Sequence, residues 1–251
     1  MFGWFLKGVG SRVRTTSYPR EHDSSVGITP GQPVVTQFAG NQEANNAAVR
    51  CPTQAITVHD QTAEVNFSRC VHCMACSRGD TAMQWQKDYT WATRSDSKAA
   101  EPPKPFRKSL HIRLVDSGSC DAVLQELKQL AKPYYNMHKL GFFITPTPRH
   151  ADVLMVTGPV TSHMRLALKK TYDAMPGPKW VIAVGNCAIS GCVFAPSFMS
   201  AGAVTGVIPV DVQVPGCPPP PLAILHGLLV LTGRAHEAQA HAPASVTETA
   251  S

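Results

Sequence analysis

Eight cysteines, and above all the spacing of three of them, constrain this 251-residue chain more than any other feature of its sequence. Cys70, Cys73 and Cys76 form a C-x-x-C-x-x-C motif within one short loop. A cubane iron–sulfur cluster binds four thiolates, so such a loop supplies three of them and a distant residue supplies the fourth. Zinc usually takes two separated cysteine pairs, which leaves a structural zinc site as the weaker alternative. The motif therefore predicts a 4Fe–4S cluster.

The fourth ligand predicted for this cluster is Cys51, which precedes a proline. In two-cluster ferredoxins the cysteine before a proline binds the other cluster, and residues 51–58 (CPTQAITV) resemble the corresponding turn and strand of bacterial ferredoxins. The second cluster of such a ferredoxin is missing here, because other residues occupy its four ligand positions: Asn41, Ala44, Ala47 and Asp80. His72 lies inside the cysteine loop and is expected either to face solvent or to tune the cluster through a hydrogen bond.

From Ser109 onward, apolar strands alternate with helices. Strands are predicted at 110–115, 151–156, 180–184 and 207–214, and helices at 121–130, 164–174 and 222–232. Strands that are apolar throughout are buried on both faces, as in a parallel sheet covered by helices. We predict an α/β fold with a flavodoxin-like parallel sheet and helices on both faces, preceded by a small ferredoxin-like iron–sulfur domain.

Three of the remaining cysteines, Cys120, Cys187 and Cys217, each follow a predicted strand. The loops at the carboxyl ends of parallel strands meet at one edge of the sheet, where such folds bind ligands. These three thiols are therefore expected to lie close together despite their separation in sequence, which predicts a second iron–sulfur site.

Four segments of the second half resemble a known family. They are DSGSC at 116–120, PRHADVLMVTGPVT at 148–161, MPGPKWVIAVGNCAISG at 175–191 and VDVQVPGCPPPP at 210–221. They resemble the small subunit of membrane-bound (group 4) nickel–iron hydrogenases and the complex I subunit that carries the terminal cluster. The first part, with its Met-Phe start, Ser17-Tyr-Pro19 and the ferredoxin half, is similar to the polyferredoxin subunit of formate hydrogenlyase-type complexes. The chain looks like a fusion of these two subunits, which are adjacent in the electron-transfer path of such complexes.

The resemblance leaves the fourth ligand of the second cluster open. The hydrogenase branch has C-x-x-C after the first strand, but Val123 stands at the second position, and Ser119 occupies the position used in complex I. Cys192 stands where the family usually has glycine, and the simplest account is that it replaces the displaced thiolate. The competing account is a cluster with three cysteines and another ligand or a labile iron, with Cys192 as a buried free thiol.

The resemblance also implies roles for three further residues. It places Glu126 near the cluster and the large subunit as a proton-transfer group, although the same residue reads equally as an exposed helix glutamate. Arg149 and His150 match a turn that lies beside the cluster and the subunit interface, where positive charge stabilises a reduced cluster. Asp152, in the same turn, is expected to be structural.

The composition and the patterns divide the chain into five predicted parts. These are an extension that docks on a membrane or partner subunits (1–40), the ferredoxin-like domain (41–94), a linker (95–108), the hydrogenase-like domain (109–234) and a disordered tail (235–251). The net charge is +6, but the basic residues are scattered, which does not favour a nucleic-acid partner. The longest apolar run, Leu222 to Leu231, is too short to span a bilayer. Without an export signal, we expect a peripheral protein on the cytoplasmic face of the inner membrane.

These observations predict an iron–sulfur electron-transfer subunit with two 4Fe–4S clusters that is not catalytic alone. By resemblance, it serves a formate hydrogenlyase-like nickel–iron hydrogenase complex. The implied partners are a large catalytic subunit, membrane ion-pumping subunits, and a redox protein such as ferredoxin or formate dehydrogenase. One alternative is the same role in a complex I-like quinone or ion-pumping complex that lacks nickel. A second alternative is a zinc-stabilised interaction protein.

Overall fold

The computed structural model describes residues 3–11, 15–35, 41–59, 62–78, 83–95, 102–194, 196–236 and 244–245. The α-helices of this part are α1 (Gly3–Gly10), α2 (Asn41–Arg50), α3 (Ala122–Gln129), α4 (Ser162–Asp173), α5 (Asn186–Ser190) and α6 (Pro221–Leu231). The strands are β1 (Gln32–Val35), β2 (Ile56–His59), β3 (Thr62–Val65), β4 (Met83–Gln86), β5 (Thr93–Arg94), β6 (Leu110–Asp116), β7 (Phe142–Ile144), β8 (Val153–Thr157), β9 (Trp180–Val184), β10 (Val212–Val214) and β11 (Ala244–Ser245).

The main sheet has six strands in the order β5-β10-β9-β8-β6-β7. All neighbours in it are parallel except β5, which runs antiparallel to β10 at one edge. Counted along the chain, the parallel strands follow the order 2-1-3-4-5, which is the flavodoxin-like order. The predicted α/β class with a predominantly parallel sheet is therefore confirmed.

Both faces of this sheet are buried, as the continuous apolar strands predicted. On one face Ile112, Met155 and Ile182 pack in a core that includes residues of α3 and α6. On the other face, Leu154 and Val156 pack in a second core that includes residues of α4 and α5. Because successive side chains of a strand point to opposite faces, β8 contributes to both cores and is buried at every position.

Helix α6 is buried along its whole length and contains one polar side chain, His226. An unpaired imidazole in this position would be costly. The Nδ1 atom of His226 lies 3.2 Å from the backbone nitrogen of Ala92, which donates a hydrogen bond to it. The Nε2 atom lies 2.8 Å from the carbonyl oxygen of His236. The hydrogen bond between Ala92 and His226 ties the segment before β5 to the core of the main sheet.

The structure differs from the sequence prediction at the strand expected for 207–214, of which only Val212–Val214 is a strand. The preceding residues form a single-turn helix, Val204–Gly206, and an irregular segment. Pro209 has no N–H to donate to a ladder. The Asp211 carboxylate accepts a 2.7 Å hydrogen bond from the backbone N–H of Val181, which takes the place of a strand carbonyl. The short strands β5 and β7 and the helix α5 were not anticipated.

A small second core lies in the first hundred residues. Helix α2 packs on the hairpin β2–β3, β1 pairs with β4, and β11 pairs with β3 inside the segment predicted to be a tail. Ala44 and Ala47, two positions where ferredoxins of the resembling type carry ligands, are fully buried in this core. The predicted domain boundaries remain predictions, and the strand pairs of β1 and β5 cross three of them.

Part of the predicted docking extension contacts the chain itself. The backbone N–H of Thr16 donates to the carbonyl of Tyr134 at 2.9 Å. The Tyr134 hydroxyl donates to Asp23 at 2.8 Å, and the N–H of Asp23 donates to the Tyr89 hydroxyl at 2.7 Å. Residues 16–23 are therefore held on the body of the protein.

Candidate iron–sulfur sites

The four cysteines predicted for the first cluster line one pocket. Cys51 follows α2, and the other three lie on the loop between two single-turn helices and on the second of them. The apolar wall of the pocket includes Ile56, Val65 and Trp85. The structure thus brings all four cysteines to one pocket, in which Cys76 is buried and Cys73 is exposed.

Two left-handed residues shape the cysteine loop. His72 has φ 54° and Met74 has φ 57°, in a region that residues other than glycine rarely adopt. His72 immediately precedes Cys73 and Met74 immediately follows it. The chain therefore changes direction on both sides of the middle cysteine of the motif. This backbone allows cysteines spaced by three to face one pocket.

The environments of the individual thiols differ. Burial alone would raise the pKa of Cys51, but hydrogen bonds from the backbone N–H of Ala55, at 3.2 Å, and from Thr53 outweigh it and lower that pKa. Burial raises the pKa of Cys70 to about 12, and the neighbouring cysteines add to the increase. Four thiolates this close repel one another, so their ionised form requires cations between them.

His72 does not face solvent, and that interpretation of the sequence was wrong. Both of its ring nitrogens are buried without a hydrogen-bond partner. The ring packs against Phe67, Trp85 and Trp91, with centroid separations of 5.2, 6.0 and 5.5 Å. Burial lowers the pKa of His72 to about 4, so the ring is neutral and carries one N–H. His72 directly precedes Cys73 but is not among the residues that line the pocket. Its buried donor without a partner is compatible with the alternative prediction, a group that tunes the cluster through a hydrogen bond.

The second set also converges. Cys120 follows β6, Cys187 lies in α5, Cys192 follows α5, and Cys217 follows β10. The Cys192 side chain hydrogen-bonds with that of Cys187 and, with burial, raises the pKa of Cys187; Cys217 and Cys120 add to the increase. Burial raises the pKa of Cys217, with contributions from Cys192 and Cys120. Each of the four thiols therefore lies within electrostatic reach of at least two others, at the edge where the parallel strands end.

Cys192 reaches this set because the chain folds back after α5. Gly191 has φ +78°, and a Cβ built on it would lie 2.9 Å from the carbonyl oxygen of Phe194. Cys192 itself has φ 49°. The hydrogen bond from Cys187 lowers the pKa of Cys192 to about 7. Val123, at the family's usual ligand position, is instead buried in the core beside α6.

Both donor sets consist of sulfur alone, which suits an iron–sulfur cluster. Among the described residues, no three His, Cys, Asp or Glu side chains are placed as ligands of a single metal ion. Each cysteine of a cubane binds a different iron, so the four sulfurs surround the cluster rather than one point. The two sets fit clusters by their chemistry and convergence.

Of the remaining predicted residues, Glu126 lies on the helix that follows Cys120, whereas Arg149 and His150 are not brought to the thiols. Glu126 is half-buried on α3, and burial raises its pKa. Arg149 and His150 are exposed in a single-turn helix that precedes β8. The strands of the sheet begin at this edge, whereas the cysteines lie where the strands end, roughly 17 Å away along the five residues of β8. The implied position of Arg149 and His150 beside the second cluster is therefore not found.

Asp152 has the structural role that was expected. Its carboxylate accepts a 2.7 Å hydrogen bond from the backbone N–H of His111, and its carbonyl accepts one from Trp180 at 3.0 Å. It thereby links the beginnings of β6 and β9. The sequence analysis missed Asn186, a buried polar residue directly before Cys187. Its only signal in the sequence was an amide beside a cysteine in a strongly apolar segment.

The fold is a flavodoxin-like α/β sheet with cysteines at the carboxyl ends of its parallel strands. Comparison with known proteins identifies the family. The family model of the NADH ubiquinone oxidoreductase 20 Kd subunit matches residues 119–231. An uncharacterized protein from Methanocaldococcus jannaschii is 42% identical over 131 residues, which cover 52% of this chain and 88% of that protein. A probable membrane-bound hydrogenase subunit from Pyrococcus furiosus is 41% identical over 137 residues, 55% of this chain and 82% of that one.

Formate hydrogenlyase subunit 7 from Escherichia coli is 35% identical over 130 residues, which cover 52% of this chain and 51% of that subunit. The chain belongs to the NADH ubiquinone oxidoreductase 20 kDa subunit family. The family resemblance of the second half is thereby confirmed. The ferredoxin-like half lies outside the matched residues and remains a prediction.

Proposed function

We propose that this chain is an electron-transfer subunit of a membrane-associated hydrogenase or complex I-like complex, with two 4Fe–4S clusters. The observation that carries the proposal is the convergence of eight cysteines into two sets of four, one before and one after the predicted linker. When bound, such clusters accept and release single electrons. The chain is not catalytic alone, and the reaction takes place in a separate large subunit.

In the first site, Cys51, Cys70, Cys73 and Cys76 hold the iron atoms. The backbone N–H of Ala55 points at the Cys51 sulfur and would stabilise negative charge there. The unpartnered N–H of His72 is available to a cluster sulfide, which would raise the reduction potential. Trp85, on the apolar wall of the pocket, would limit the access of water on that side.

In the second site, Cys120, Cys187, Cys192 and Cys217 supply the thiolates. The fold-back at Gly191 and the contact between Cys187 and Cys192 favour Cys192 as the fourth ligand over a three-cysteine cluster. Glu126 is proposed to transfer protons towards the partner, and burial raises its pKa.

The partners proposed are a large catalytic subunit, membrane ion-pumping subunits and a soluble redox protein. Beside the second site the side chains of Val193, Phe194, Phe198 and Met199 are exposed. Isolated exposed apolar residues are ordinary, but this group adjoins a site through which electrons must leave. We assign it to the interface with the large subunit, on the cytoplasmic face of the membrane.

A complex that lacks nickel is the second candidate, favoured by Val123 at the position where the hydrogenase branch has a cysteine. The neighbouring large-subunit gene decides between them. Two C-x-x-C motifs in that gene product would mean a nickel–iron site, and their loss would favour a quinone-reducing or related complex.

The cluster content tests the proposal directly. Protein purified without oxygen is expected to contain about eight irons and eight sulfides per chain, because eight cysteines provide ligands for two cubanes. Iron and sulfide analysis together with absorbance near 400 nm measures this. Stoichiometric zinc without sulfide would establish the zinc-stabilised alternative instead, and about four irons would leave only one cluster.

The N-terminal helix is expected to contribute to attachment. Trp4, Leu6 and Val9 of α1 are 76%, 69% and 68% exposed, a pattern suited to a membrane interface or partner groove. No helix among the described residues is long and apolar enough to cross a membrane. Deleting residues 2–14 should reduce co-purification with the membrane subunits severalfold while the iron content stays unchanged. Replacing Lys7 with glutamine serves as the control, and full co-purification of the deletion would refute the role.

A further inference from the structure

The two cysteine sets are joined by the side chain of Asn186, the first residue of α5. This side chain is 1% exposed. Its amide nitrogen donates hydrogen bonds to the carbonyl oxygens of Phe67, at 3.1 Å, and Cys70, at 2.6 Å. Its amide oxygen accepts a 2.7 Å bond from the backbone N–H of Gly216, the residue before Cys217. One buried group therefore contacts the backbone of both sites.

Other bonds hold α5 in the same place. The backbone N–H of Asn186 donates to the carbonyl of Gly216 at 3.0 Å. One helical turn later, the Ser190 hydroxyl donates to the carbonyl of Ser68 at 2.9 Å and accepts from the N–H of Cys192 at 3.1 Å. The segment that leads into the C-x-x-C-x-x-C loop is thus fixed against the helix that carries Cys187.

We propose that Asn186 is a positioning residue that fixes the separation of the two clusters and completes a bonded route between them. The route runs from Cys70 through its carbonyl oxygen and one hydrogen bond to Asn186, which is covalently joined to Cys187. It carries one electron, so that the first site is oxidised by one unit and the second reduced, with no bond broken and no proton moved. This inference rests on the proposed function.

The alternative is a purely structural role, in which Asn186 only stabilises the fold. Asn186→Asp separates the two readings because it keeps the size of the side chain and the acceptor for Gly216. It removes both donors and sets a carboxylate oxygen against the carbonyls of Phe67 and Cys70. Asn66→Asp is the matched control, since the Asn66 side-chain oxygen only accepts bonds from Ser68, which aspartate preserves.

The experiment uses the full chain with both sites loaded. One electron is introduced by flash photoreduction, and its redistribution between the sites is followed by freeze-quench electron paramagnetic resonance. Asn186→Asp is expected to keep its iron content but to slow the redistribution on the order of tenfold. When both sites are fully reduced with a chemical reductant, the magnetic interaction between them should also change. Asn66→Asp should match the unmodified protein. An unchanged rate and unchanged interaction in Asn186→Asp would overturn the inference.

Hydrogen exchange provides a second measurement that needs no cluster. In the full chain without iron, exchange of the backbone amides at 67–70 should rise on the order of tenfold in Asn186→Asp, because the segment loses two buried hydrogen bonds. Unchanged exchange would refute the positioning role of Asn186, even if the variant failed to take up iron. Failure of the unmodified chain to hold two clusters would instead refute the proposed function.

Discussion

Replacing Cys51 with serine is expected to abolish the first cluster and leave the second intact. The three remaining thiols of the set lie on one loop and cannot bind a fourth iron, and a serine oxygen is a poor replacement for a soft thiolate. The iron content should fall from about eight to about four per chain, as measured by metal analysis and by loss of one of two paramagnetic signals. Cys51 is the informative member because it is distant in sequence from the other three.

Ser77→Ala is the matched control for this prediction. The Ser77 hydroxyl donates a 2.9 Å hydrogen bond to the carbonyl of Met74 inside the same loop, but it supplies no thiolate. Its removal should cost about 1 kcal/mol of stability without loss of iron. If Cys51→Ser kept its full iron content, the remote ligand would be misassigned, and another group would have to complete the first site.

The fold of the second half was largely readable from the sequence because burial on both faces leaves a simple pattern. The segments of β8 and β9 are continuous apolar runs, and their positions agree with the prediction within two residues. The strand β7 was not predicted because it is an edge strand of three residues, two of them exposed. A short edge strand has neither a buried run nor an alternation long enough to distinguish it from a loop.

The convergence of Cys120, Cys187 and Cys217 followed from topology, since the loops at the ends of parallel strands share one edge. The surroundings of the thiols did not follow. The burial of His72 depends on Trp91, whose neighbour Ala92 is held by the distant residue His226. Similarly, Asn186 acquires its bonds from a loop more than a hundred residues earlier. Contacts between distant segments leave no local pattern in a sequence.

The placement of Arg149 and His150 shows the limit of carrying roles over by resemblance. The matching turn is present, but its side chains are exposed at the edge where β8 begins. A motif transfers the backbone of a turn more securely than the surroundings of its side chains, because those depend on partners. Contact with a separate subunit stays a proposal for these residues, which the structure places at the edge opposite to the second set.

Replacing Cys192 with glycine is expected to destroy or shift the signal of the second cluster and to leave the first unchanged. The carbonyl of Arg69 lies 4.0 Å from the Cys192 sulfur, so this thiol faces the junction between the two sites as well as Cys187. Without it, three thiols remain, and a cluster with one iron lacking a protein thiolate loses that iron readily. About one to four irons should be lost per chain, and oxidation by air should become faster.

The decisive variant combines Cys192→Gly with Val123→Cys, which restores the ligand positions of the family's hydrogenase branch. Val123 is 8% exposed and is the second residue of α3, three positions after Cys120, which gives the C-x-x-C spacing. The double variant should recover the iron and the signal lost in the single one, at a cost of about 1 kcal/mol for the smaller side chain. The control is Val123→Ala with Cys192→Gly, which has the cavity but no thiol and should recover nothing. If Cys192→Gly alone keeps its spectrum and iron, Cys192 is a free thiol beside a three-cysteine cluster, and the fourth ligand is a group other than cysteine.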